Sequence, residues 1–163
     1  MSNVSAIVKS IQDIMRKDVG VDGDAQRISQ LGWMLFLKIF DDHESELEVL
    51  RDNYKSPLPS RLRWRNWAAD AEGITGDELT DFVNNDLFKN LKNLSATTGR
   101  AAVLRAAFED AYNYMKFGTL LRQVVNKINP SDIHDPQEVM ARAEALSLEL
   151  GTTITPGFEA LAF

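Results

Sequence analysis

The densest set of ionisable side chains is "DDHESE", which places Asp41, Asp42, His43, Glu44 and Glu46 within six positions. Carboxylates beside an imidazole are the ligand types of a divalent metal and the partners of general acid–base chemistry. Successive residues of a helix point in different directions, so a run like this cannot converge on one ion, and a solvated face is expected. The second histidine, His134, is remote in sequence, and neither histidine belongs to an HExxH or Cys/His pattern. "GVDG" and "GITG" pair their glycines without forming a phosphate-cradling loop after a strand. Cysteine is absent, which removes disulfides, thiolate zinc sites and cysteine nucleophiles and fits a reducing compartment. The expectation is a chain with no catalytic residue, no bound metal and no cofactor of its own.

A different chemistry is offered by "RLRWRNW", Arg61 to Trp67, with three arginines and two tryptophans in seven residues. Arginine grips phosphate bidentately, and tryptophan stacks on bases or anchors a protein interface. On this reading Lys55, Arg61, Arg63 and Arg65 are the candidates for DNA contact, and Trp64 and Trp67 for a partner surface. The opposing reading has the tryptophans pinning a loop to the core while the arginines pair with nearby acids. Lys89, Lys92 and Arg100 form a thinner basic set that is expected to be solvated. In "FEDAYNYMKFG", helical spacing sends Phe108, Tyr112 and Met115 into the core and leaves Tyr114 and Phe117 as exposed partner-surface candidates.

These residues must be positioned by elements that the apolar pattern predicts. At 163 residues, 44% hydrophobic and 26% charged, the chain has the length and composition of one folded domain. Its net charge of −6 means that the overall field does not draw it to DNA, so any nucleic-acid contact must come from a local basic patch. "LGWMLFLKIFDD", Leu31 to Asp42, is too short to span a bilayer, which takes about 20 apolar residues. Its all-round apolarity predicts a central buried helix, running from near Asp24 past Leu50. Trp33 and Phe36 are the residues through which one face of it would meet another domain.

Before this helix, Ile7, Val8, Ile11, Ile14 and Met15 keep helical spacing until Gly20 and Gly23. After it, Pro57, Pro59, Gly73 and Gly76 mark a long loop over about 52–76, with a helical turn near Leu62 to Trp64. Thr75 and Glu78 have the spacing of a capping box, ahead of a stripe of Leu79, Phe82, Val83, Leu87, Leu91 and Leu94. Helices are further expected over "RAAVLRAAFEDAYNYM", over "TLLRQVVNKI", and after Asp135 and Pro136 until Gly151. The fold class is all-α, a compact multi-helix bundle, with residues 1–150 as the helical domain and 151–163 as an irregular tail.

Three stretches carry a resemblance: "IVKSIQDIMRKDVGVDGDAQRISQLGWMLFLKIFDDHESE", "YKSPLPSRLRWRNWA" and "ITGDELTDFVNNDLFKNLKNL". Over about residues 4–140 the chain resembles the N-terminal helical domain of the modification (M) subunit of type I restriction–modification systems. The resemblance implies a non-catalytic part of an adenine-N6 DNA methyltransferase that helps assembly with the specificity (S) subunit and closure around DNA. A second M subunit, a restriction (R) subunit and DNA are the other implied partners, with no membrane and a cytoplasmic location. S-adenosylmethionine is implied only for a following catalytic domain, whose glycine-rich loop and Asn/Asp-Pro-Pro-aromatic motif are absent here. "INPSD", Ile128 to Asp132, lacks the second proline and the aromatic. After Met140 the chain departs from the family pattern, so a fragment, truncation or frame-shifted product is expected. The alternative is a free-standing helical interaction or regulatory module without a DNA role.

Overall fold

Helix α2, Gly23–Leu50, decides the architecture. Every residue from Trp33 to Asp41 is buried, a run longer than two turns of a 3.6-residue helix, so all its faces are covered. The structure is a computed structural model that describes residues 3–95 and 99–129. Among the described residues every regular element is helical, so the all-α bundle expected from the sequence is the observed fold. The predicted helix after Asp135, the 151–163 tail, His134 and the turn residues Thr97 and Thr98 lie outside the described residues.

The shell around α2 is built from α1 (Asn3–Met15), α3 (Trp64–Trp67), α4 (Gly76–Asp81), α5 (Phe88–Lys92), α6 (Gly99–Glu109) and α7 (Gly118–Ile128). α3 and α6 pack on α2, α7 packs on both α1 and α4, and α5 lies against α6. An aromatic cluster joins them. The Trp33 ring meets Phe88 edge-on at 4.9 Å, and Phe108 lies 5.4 Å from Phe88 and 6.1 Å from Phe36. Edge-on pairs of this kind add to the area they bury.

Between α4 and α5 the helix widens into a π-helical stretch, Phe82–Leu87. The spacing of the stripe explains its value. Leu79, Val83, Leu87 and Leu91 recur every fourth residue, and all four are fully buried. In an α-helix each four-residue step overshoots a turn by about 40°, which would carry the stripe off the core. A wider i→i+5 turn winds it back. The capping box does not form: Thr75 is in the N-cap position, but its side chain makes no capping hydrogen bond.

The helix expected over "RAAVLRAAFEDAYNYM" stops at Glu109, and residues 111–117 have no regular structure. Distant side chains capture the backbone N–H groups that would have continued it. The Tyr114 N–H donates to Gln30 Oε1 at 2.7 Å, and the Lys116 and Phe117 N–H groups donate to the Asp18 carboxylate at 3.0–3.1 Å. Tyr112, expected in the core, is consequently 56% exposed, while Phe108 and Met115 are buried as expected.

Candidate functional site

The arginine–tryptophan segment lies against the second half of α2. It follows α2 through Asn53, whose φ of 60° turns the chain, a conformation asparagine tolerates better than most residues. Ser60–Leu62 then forms a 3-10 turn and Trp64–Trp67 the short α3. Leu58, Leu62, Trp64, Trp67 and Ala68 are all buried, so the long loop is a packed layer. Trp64 and Trp67 meet edge-on at 5.2 Å. Their indole N–H groups donate to Asn129 Oδ1 at 2.8 Å and to the Leu62 carbonyl at 3.1 Å.

On α2, Asp41, Glu44 and Glu48 are spaced three and four apart and share one face. That face receives the arginines. The Arg65 backbone N–H donates to Asp41 Oδ2 at 3.1 Å, and its guanidinium reaches Ser45 Oγ at 2.6 Å and Glu48 at 3.2 Å. Arg63 pairs with Glu48 at 3.1 Å. Arg61 points elsewhere and forks onto Asp86 of the π stretch at 2.8 and 3.2 Å. Lys55 is exposed and has no ion pair among the described residues.

The expectation of a solvated acidic face is therefore corrected. Asp41 is 2% exposed and Glu44 is fully buried, because the loop and α6 fold over them. Glu44 accepts from the Tyr54 hydroxyl at 2.7 Å and from Arg100 Nε at 2.6 Å. Arg100, expected to be solvated, also lies 4.7 Å from the centre of the Phe40 ring. A second correction concerns partner surfaces. Trp33, Phe36, Trp64 and Trp67 are all buried: Trp33 packs on Phe88 and Phe108, Phe36 on Phe40 and Phe108, and Trp67 on Trp64 and Phe82. Of the four, Trp33 and Phe36 reach the edge of a cleft. Tyr114 is half-buried and Phe117 is 45% exposed. Among the described residues no group of three His, Asp or Glu side chains could hold a metal ion.

Burial raises the Asp41 carboxyl above its ordinary 3.8, against the opposing pull of the Arg65 backbone and guanidinium. A raised folded-state pKa favours the protonated form, so this contribution to stability is full below 3.8 and lost as pH rises through the folded value. Asp41→Asn keeps an acceptor for the Arg65 N–H and removes the titration. Its stability relative to the parent is expected to rise with pH from 3.8 upward through that window, read by urea unfolding from acid to neutral pH. A pH-independent difference would refute the assignment. Asp86 behaves oppositely: the Arg61 hydrogen bond lowers its pKa, so its small contribution is lost as pH falls.

Sequence reasoning missed the residue that holds this layer in place. Arg122 of α7 is 5% exposed and donates to four carbonyls of the 67–74 segment. Its Nη2 reaches Trp67 O, its Nη1 Ala68 O and Asp70 O, and its Nε Ile74 O, all at 2.9–3.1 Å. Burial lowers its pKa. The signal was its position: Arg122 flanks the inward stripe of Leu121, Val125 and Ile128 on α7, about one turn after Gly118.

With this geometry in hand, the comparisons decide the family. Residues 4–128 match the model of the HsdM N-terminal domain. The chain belongs to that family. This HsdM N-terminal domain is 60% identical over 139 residues to the Type I restriction enzyme EcoEI methylase subunit of Escherichia coli, covering 83% of this chain and 28% of that protein. It is 38% identical to a crystallised modification subunit, assigned to a type I restriction enzyme from Vibrio vulnificus YJ016, with a TM-score of 0.77 over 89% of this chain and 34% of the other. A chain from a type I R-M system, studied for complex assembly and conformational transition, gives a TM-score of 0.76 at 27% identity, covering 90% of this chain and 30% of its own. The chain thus spans about a third or less of these relatives. Among its described residues no helix is long and apolar enough to cross a membrane.

Proposed function

We propose that this HsdM N-terminal domain is the non-catalytic assembly and closure element of an adenine-N6 DNA methyltransferase M subunit. In the intact enzyme it assists association with the specificity subunit and closes around DNA, beside a second M subunit and with the restriction subunit able to join. S-adenosylmethionine and the methyl-transfer chemistry belong to a catalytic domain of the parent, and the setting is the cytoplasm. The observation that carries the reading is the family match over residues 4–128, and a structural relative comes from a system described for its assembly and conformational transition. The cavity beside Trp33, about 80 Å³, does not fit S-adenosylmethionine, since small-molecule sites occupy roughly 300 Å³ or more.

Closure around DNA would use cations that the domain leaves accessible. Lys55 is exposed, and among the described residues Arg61 is paired only to the partly exposed Asp86. Arg63 and Arg65 are tied to α2 and serve first to hold the loop. That engagement is the specific observation favouring the second reading, an interaction module without a DNA role. The test uses the intact methylase with its specificity subunit and cognate duplex. Lys55→Ala with Arg61→Ala is expected to flatten the salt dependence of binding by about 0.9 per lost phosphate contact. An unchanged slope would leave the interaction module as the account.

A further inference from the structure

We infer that the cleft between α2 and the 110–114 segment is a socket for an arginine side chain of a partner protein. The cleft is lined by Ser29, Gly32, Trp33 and Phe36 from α2, by Ala107, and by Asp110, Ala111, Tyr112 and Tyr114. Its volume of about 80 Å³ admits a guanidinium head, with the stem left toward the opening, and excludes a nucleotide. Two features select a cation. Tyr112, 56% exposed, meets Tyr114 edge-on at 4.9 Å, and the two rings give the cleft an aromatic wall of the kind that attracts a positive charge, above the largely buried Trp33 and Phe36. Asp110 is exposed and has no ion pair among the described residues, and neither has its neighbour Glu109.

The chain's own cations do not fill this role. Lys92 is committed to the Ala111 carbonyl at 2.9 Å and to the face of Phe88, which is not a lining residue. Arg105 donates to the Leu94 carbonyl. A planar guanidinium can stack on an aromatic ring and still fork onto a carboxylate, which an ammonium does less well. The chain carries a net charge of −6, so a basic partner segment is also favoured at longer range. The end of α6 at Glu109 makes the cleft: a continuing helix would not have presented Tyr112 and Tyr114 in this way.

The inference rests on the assembly reading for the source of the arginine, while the socket is testable without a partner. The full chain is titrated with N-acetyl-arginine amide and, separately, with N-acetyl-norleucine amide, an uncharged chain of similar stem. Binding is followed by NMR through the Trp33 indole N–H, which is buried and has no hydrogen-bond partner in the structure. The arginine probe is expected to give a saturable shift and to bind about threefold to thirtyfold more tightly than the norleucine probe. Tyr112→Ala and Asp110→Asn, both at exposed positions, should each weaken it measurably. Equal binding of the two probes, no saturable shift, or indifference to both substitutions would overturn the socket. These outcomes leave the assembly reading untouched, because that is tested separately in the intact enzyme.

Discussion

Arg122→Met is expected to lower the melting temperature by roughly 10 °C or more, read by circular dichroism. Methionine keeps the length and apolar stem of the side chain but donates nothing. The carbonyls of Trp67 and Ile74 lose their Arg122 donor, while Ala68 O retains Asn129 Nδ2 at 2.7 Å and Asp70 O retains the Gly73 N–H at 2.9 Å. A buried acceptor left unpaired costs about 1–3 kcal/mol, and the Trp67 and Ile74 carbonyls are affected together. The variant also removes a buried cation, whose lowered pKa shows that its burial is unfavourable, and this recovers part of the loss. We expect about 3–4 kcal/mol net. Arg122→Lys should restore less than half, because a single ammonium cannot span carbonyls that three guanidinium nitrogens now serve. Protease sensitivity between Trp67 and Ile74 should rise in parallel. An unchanged melting temperature in the methionine variant would remove the clamp from the account.

The same arginine shows why part of this molecule was legible in the sequence and part was not. The buried helix could be read because one segment, Trp33 to Phe40, carries the whole signal, and no water-compatible face exists to be hidden. The stripe from Leu79 to Leu91 was legible as a face, but its strict four-residue period was itself the sign of a π turn that sequence reading passed over. The missed features are long-range. Asp18 reaches residues 98 and 99 positions away, and Gln30 holds Asn113 and Tyr114 across 83 and 84. No local period reports such bonds, so "FEDAYNYM" read as helix until the tertiary acceptors were seen to claim its N–H groups. The arginine–tryptophan segment was ambiguous for a related reason. Its composition suits phosphate and carboxylate equally, and only the fold brings Asp41, Ser45 and Glu48 beneath it.

The second large effect concerns a residue with no side chain. Gly118→Ala is expected to destabilise the domain by about 3 kcal/mol, although alanine is the better helix former by roughly 1 kcal/mol. A β-carbon on Gly118 would lie 1.7 Å from the Gly76 carbonyl oxygen and 2.4 Å from its carbon. Those are backbone atoms, so no rotamer change relieves the clash, and the first turns of α4 and α7 must separate. The chain before Gly118 cannot retreat, since the Lys116 and Phe117 N–H groups are held by the buried Asp18. One helical turn after it lies Arg122, so the displacement propagates to the loop that carries Arg61 to Trp67. Gly76→Ala is the matched control. Its φ of +59° makes alanine strained, but nothing stands within 4 Å of the new methyl, so the cost is confined to about 1–2 kcal/mol of backbone conformation. Urea unfolding of the two variants should therefore rank Gly118→Ala well below Gly76→Ala. The reverse order would mean that the α4–α7 contact is loose, and that the 67–74 layer is not held from the end of the bundle where α7 begins.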